Sequence, residues 1–188
     1  MKKMFINLGL LSFIVFQLTG CTTVSVEPMS LIQPNSLNRE WNDYDAMATS
    51  QELVYECLRL RWRDDFIKEQ GRNPRIMVGP VMNDTPDAIG SESFLKYLER
   101  EVMDSGKVVF IAVSDEQRQA NSSLEAMMLL ARELGGDYIL VSRLNAVHDI
   151  VPGKRVSNYQ VTLELIDVTL NEKVWTGQKD IKKIIRKN

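Results

Sequence analysis

The chain has 188 residues, 44% of them hydrophobic, with 23 basic and 25 acidic side chains for a formal charge of −2. That length suits one domain with a substantial core, and the mild acidity excludes generic nucleic-acid binding, which needs a concentrated basic surface. Two cysteines and one histidine leave little material for a disulfide framework, a zinc site or a His-based catalytic relay.

Residues 1–20 read as a secretion signal. Lys2 and Lys3 form a positive start, and Met4 to Phe16 is apolar except for Asn7, Gly9 and Ser12. The run is too short to span a bilayer and polar sequence follows it, so a signal peptide is expected rather than a membrane span. Leu18-Thr19-Gly20-Cys21 resembles the bacterial lipobox. The resemblance implies cleavage before Cys21, a diacylglycerol on its thiol and an acyl chain on the new amine; no other cofactor is expected. Several acyl chains anchor stably, at about 0.8 kcal/mol per buried CH₂. In the bacterial sorting rule that this signal resembles, Asp after the cysteine would favour inner-membrane retention, so the resemblance with Thr22 implies the inner leaflet of the outer membrane, with the domain expected to face the periplasm. The signal holds two basic residues and no acidic ones, so its removal leaves 168 residues at a formal charge of −4. Only Cys57 then keeps a thiol, and no intramolecular disulfide is possible. Its neighbours Leu53, Val54, Leu58 and Leu60 mark it as a small buried hydrophobe.

Residues 21–40 read as the lipidated terminus and a tether, because Pro28, Pro34, Asn35, Ser36 and Asn38 interrupt any period. About 20 residues extend to roughly 70 Å at most, and as a flexible coil span nearer 25 Å. The globular domain is expected over 41–188. Asp43 to about Gln70 predicts one long helix, capped by Asp43 or Asp45, with Met47, Leu53, Val54, Cys57, Leu58, Arg61, Trp62 and Phe66 as its stripe and Gly71 as its stop. Arg75 to Val81 predicts a strand whose Pro80 suggests an edge or an end. Residues 83–87 form a loop. A helix follows from Ser91 or Ser93 to Ser105, burying Phe94, Leu95, Leu98 and Val102. Val108 to Val113 is apolar enough for a strand buried on both sides. Ser114 opens a helical stretch that Asn121-Ser122-Ser123 interrupts. Leu124, Met127, Met128, Ala131 and Leu134 line its buried face, and Gly135-Gly136 stops it. Three strands close the chain: Tyr138–His148, Val156–Asp167 and Glu172 to about Ile184. The second alternates, with Tyr159, Val161, Leu163 and Leu165 on one face. The order αβαβαβββ implies an α/β (α+β) fold, a single mixed sheet of four or five strands flanked by about four helices.

Candidates for chemistry are sparse. His148 falls at an expected strand end beside Asp149, a place for an exposed or capping histidine. Asp84, Asp87 and Glu92 cluster near one loop, but their spacing is not that of a calcium loop. No Gly-rich phosphate loop is present. Arg59, Arg61 and Arg63 fit a solvated helix face paired with Asp64, Asp65 and Glu69. Lys179, Lys182, Lys183, Arg186 and Lys187 fit a solvated last strand and terminus, with an anionic partner or lipid phosphates as the sharper alternative. No catalytic or metal residues are assigned, and the chain is expected to be a non-enzyme.

Five segments carry a family resemblance: Asn42-Asp43-Tyr44-Asp45; Ile76 through Thr85; Leu95 through Val108; Leu134-Gly135-Gly136-Asp137-Tyr138-Ile139-Leu140; and Val161 through Asp167 followed by Val174-Trp175. Their order and spacing behind a lipobox resemble the LpoB family of outer-membrane lipoproteins that activate penicillin-binding proteins. A wider group includes the curli secretion lipoprotein and the amino-terminal domain of TolB. The resemblance implies an outer-membrane-anchored, monomeric, non-catalytic regulator that binds the periplasmic domain of a bifunctional class A penicillin-binding protein. It implies no nucleic-acid partner and no particular partner-binding residues. The best-known members have a longer, Pro-rich tether than this one. The alternative is a secretion, surface-assembly or flagellar-associated structural lipoprotein of the same fold.

Overall fold

A computed structural model describes residues 40–186, so Cys21, the signal and most of the tether lie outside the described residues. Five strands make one mixed sheet in the order β2-β1-β3-β4-β5. The strands are β1 (Arg75–Asn83), β2 (Val109–Ile111), β3 (Tyr138–Val151), β4 (Lys154–Asp167) and β5 (Glu172–Arg186). β2, β1 and β3 run parallel, while β3, β4 and β5 form an antiparallel meander. The helices are α1 (Asp43–Leu58), α2 (Arg61–Gln70), α3 (Ser91–Asp104), α4 (Asp115–Ala120) and α5 (Leu124–Glu133).

The alternation of apolar residues along the strands divides the core in two. Tyr138, Leu140, Leu144, Val161, Leu163 and Leu165 face α1 and α3, where Leu53, Val54, Cys57, Phe94 and Leu98 are buried. Ile139, Val141 and Ile166 point the other way, onto Met127, Met128, Leu130 and Ala131 of α5. A period of two in the strands thus feeds two helical layers. Cys57 is buried, as its neighbours imply, and burial pushes its thiol pKa well up.

The expected long helix is two helices. Arg59 closes α1, Leu60 is extended, and α2 starts anew at Arg61. The cause is Trp62. Its indole N–H donates to the Cys57 carbonyl at 2.7 Å, satisfying a group at the end of α1. Its ring and that of Phe66 meet Tyr138 edge-on at 5.1 and 5.6 Å. Arg61, Trp62 and Phe66 therefore do not continue the α1 stripe. The N-cap is Asn42, not Asp43 or Asp45. Asn42 Oδ1 accepts from the amides of Tyr44 and Asp45, and Asp45 Oδ2 accepts from the Asn42 amide, closing a capping box. The stretch after Ser114 does break, into α4 and α5, each with a serine cap at its start.

Two strands also depart from expectation. β2 has only three residues and lies at the sheet edge, with Val109 exposed rather than buried on both sides. β1 is an interior strand despite Pro80. Its pairing with β2 ends at Met77, and its register with β3 slips by one residue between Val78 and Val81. Gly79 and Pro80 occupy that bulge, where a missing N–H does no harm. The Val78 carbonyl accepts from Arg118 Nη1 at 2.8 Å, and Arg118 also pairs with Glu99, joining α4, β1 and α3.

Trp175 of β5 folds its ring across Gly177. A Cβ added at Gly177 would sit 2.3 Å from Trp175 Cζ2. Such contact is impossible without displacement, and overpacking of this kind costs about 1–3 kcal/mol. Gly177→Ala is expected to lower stability by that amount in a urea melt and to shift the tryptophan emission.

Candidate functional site at the overhanging end of the sheet

β3 and β4 run on past the helices for several residues. At that end the α1-facing side carries polar residues where a core would otherwise continue. Asp87, from the loop after β1, is the hub. Its Oδ2 accepts from the Tyr159 hydroxyl at 2.7 Å, and its Oδ1 lies 3.5 Å from Arg155 Nη2. His148 Nε2 lies 3.1 Å from Asp87 Oδ2, close enough for an ion pair when the ring is protonated, although the ring is not aimed for a hydrogen bond. The side chains of Asp87 and His148 are each only 15% exposed. Trp41, just before α1, packs against Phe94 and Tyr159 at 5.8 and 5.9 Å, and Glu40 reaches Arg155 at 3.4 Å. Burial, reinforced by the bond to Asp87, pushes the Tyr159 phenol up to about 12.

His148 is therefore a half-buried residue within β3, not an exposed one at its end. Ser157, directly across the β3–β4 ladder, lies with its Oγ 2.9 Å from His148 Nδ1. Ser157, His148 and Asp87 thus follow one another as the members of a serine triad do, but the ring is turned: Nδ1 rather than Nε2 faces the serine, and Nε2 makes no hydrogen bond to the carboxylate. Ser157, however, is 0% exposed, so its hydroxyl meets no substrate. The line is a structural tie between β3, β4 and the β1 loop.

The other candidates separate. Asp84 pairs with Arg143 and Glu92 with Lys96, so neither joins Asp87 around a cation. Among the described residues no group of His, Cys, Asp and Glu converges as a metal site. Arg63 pairs with Asp64 at 3.4 Å, while Arg59 lies over the Tyr55 ring instead of a carboxylate. The basic last strand is less solvated than expected. Lys183, 13% exposed, meets Asp45 at 2.5 Å, and Lys179 meets Glu52 at 2.5 Å, so two lysines of β5 are pinned to α1. Lys187 lies outside the described residues. The Asp87 hub was not readable from spacing, since its partners are 61 to 72 positions away. A polar Ser157 and Tyr159 alternating on a buried strand face was the one available hint.

What these features define is an α+β domain whose polar clusters brace the fold, with no described cluster arranged for chemistry. The family model for the peptidoglycan-synthase activator LpoB matches residues 45–181, from the first turn of α1 to the far half of β5. The chain belongs to the LpoB family. A comparison with curated proteins gives no match. The chain is similar in fold to the LpoB C-terminal domain from Escherichia coli, at 16% identity and a TM-score of 0.51, covering 73% of this chain and 98% of that one. It is also similar to the NMR structure of E. coli LpoB, at 17% identity and a TM-score of 0.50, covering 92% of this chain and 88% of that one. Among the described residues no helix is long and apolar enough to cross a membrane.

Tyr159→Phe deletes one donor to Asp87 and is expected to cost about 1 kcal/mol at neutral pH. The unfolded phenol ionises near 10 and the folded one near 12. Stability from this shift is therefore complete below pH 10 and lost as pH rises through about 12. Thermal melts of the two forms from pH 8 to 12 should converge as pH rises.

Proposed function

We propose that this domain is a non-catalytic activator, tethered to the outer membrane through Cys21, that binds the periplasmic part of a bifunctional class A penicillin-binding protein. The observation that carries this reading is the family match, which runs through every helix and strand rather than one motif. Activation by such a protein is a population shift: binding one conformer of the synthase more tightly raises the share of that conformer, by no more than the difference in affinity. A rigid domain suits this role, and the buried ties at Asp87, Asp45 and Arg118 supply rigidity.

The tether sets a second condition. Its roughly 70 Å of maximum reach confines the domain to the neighbourhood of its membrane, so the synthase must present its binding module near that height.

The test is direct. A soluble form of residues 22–188 is expected to bind a purified periplasmic class A synthase from the same cell and to speed glycan polymerisation several-fold. Absence of binding to every class A synthase of that cell would overturn the reading. Cys21→Ser should leave this stimulation intact in solution while abolishing it in cells, read by mass-spectrometric loss of the acyl chains and by fractionation.

A further inference from the structure

α1 and α3 lie side by side and point the same way. Trp41 meets Phe94 near their N-terminal ends, and Lys107, just beyond α3, lies 5.7 Å from the Tyr55 ring near their C-terminal ends. The tether joins at the N-terminal end, beside Glu40. The opposite end stands about 24 Å further along α1, the length of its 16 residues at 1.5 Å each.

That far end has an unusual surface. Tyr55 is 63% exposed and Met103 is 56% exposed, and Leu60 is exposed between α1 and α2. Arg59 lies 5.9 Å from the Tyr55 ring centre, so two cations flank one exposed aromatic face. Many other basic side chains of the domain pair with a carboxylate, Lys173, Lys179 and Lys183 of β5 among them, whereas Lys68, Lys154 and Lys182 stand singly at separate places on the surface. At this end Arg59, Arg61 and Lys107 form no ion pair among the described residues, and the carboxylates Glu56 and Asp104 lie in the last turns of α1 and α3. Cations at helix C-termini complement the dipole. That accounts for charge there, but not for an exposed tyrosine, methionine and leucine at the same place. Tyr, Met and Arg together are the composition of a protein interface centre, ringed here by charge.

We propose that the shared C-terminal end of α1 and α3, centred on Tyr55, Arg59, Met103 and Lys107, is the surface that docks an acidic, partly apolar patch on the periplasmic part of the synthase. The inference rests on the activator reading above and adds the contact surface and its charge. Two features select this occupant. The unpaired cations call for a negative partner, and the surface lies at the end of α1 opposite the point where the tether joins, so a docked partner leaves the tether free. A lipid surface is the weaker occupant, since three cations at about 1 kcal/mol each come with no amphipathic helix to insert.

The experiment uses the full-length lipidated chain in its own cell, with a photoreactive phenylalanine at Tyr55, at Met103 or, as control, at Val147 on the overhanging sheet. Adducts with a class A synthase are expected from positions 55 and 103, at least tenfold above position 147. Alongside, R59E with K107E, and separately Y55A with M103A, are measured for binding to the purified periplasmic synthase. Each pair is expected to weaken binding tenfold or more while the thermal midpoint stays within a few degrees. The charge-reversed pair should also lose most of the salt dependence of binding. Synthase adducts from 147 but not from 55 or 103, adducts with lipid alone, or undiminished binding by both folded variants would overturn the surface and leave the activator reading standing. If the unmodified chain binds no class A synthase, both readings fall.

Discussion

The structure depends on holding a sheet that is longer than its helical cover. A strand of 14 residues such as β3 runs about 46 Å, whereas α1 covers about 24 Å. Apolar packing secures the half that lies under α1, α3 and α5. The remainder is held by two carboxylates. Asp87 gathers Tyr159, Arg155 and His148 from β3 and β4. Asp45 receives Lys183 from β5 while it also closes the capping box of Asn42 at the start of α1. Each joins elements far apart in sequence, and each is nearly enclosed, so its partners cannot be exchanged cheaply for water.

This arrangement explains why polar residues interrupt the core at the hairpin. Ser157 and His148 look functional because of their chemistry. Their burial instead assigns them to the geometry of the hairpin. A carboxylate that takes hydrogen bonds from Tyr159 and Arg155 and lies beside His148 ties β3 and β4 together at a strand's unsupported end, where packing is too thin to fix register. The same logic applies at Arg118, which supplies the bond that the Gly79-Pro80 bulge leaves open. Rigidity is thus distributed over the domain rather than confined to its apolar centre.

Much of this was legible in the chain. The alternation from Tyr159 to Leu165 places β4 and its two faces, and the apolar spacing of Phe94, Leu95, Leu98 and Val102 places α3. Gly71, Gly106 and Gly153 mark stops and turns, each with positive φ. The break between α1 and α2 was not legible, because neither Arg59 nor Leu60 is a helix breaker; a tertiary bond from Trp62 decides it. The apolar run at Val108 suggested a central strand, yet β2 has three residues at the sheet edge and pairs only with the start of β1, Arg75 to Met77. The Asp87 hub was hidden for a related reason. A loop aspartate reads as turn chemistry until the fold brings His148 and Tyr159 to it.

One consequence concerns mechanical force. Glu40 and Trp41, where the tether enters, sit on Arg155 and Tyr159 rather than on a helix end alone. A pull arriving through residue 40 is delivered across β3, β4 and the β1 loop together, and β5 shares it through Asp45 and Lys183. Before α1 is peeled from the sheet, the contacts of Glu40 with Arg155 and of Trp41 with Phe94 and Tyr159 must give way. The point where the chain enters the domain is therefore fastened to two strands as well as to the start of α1.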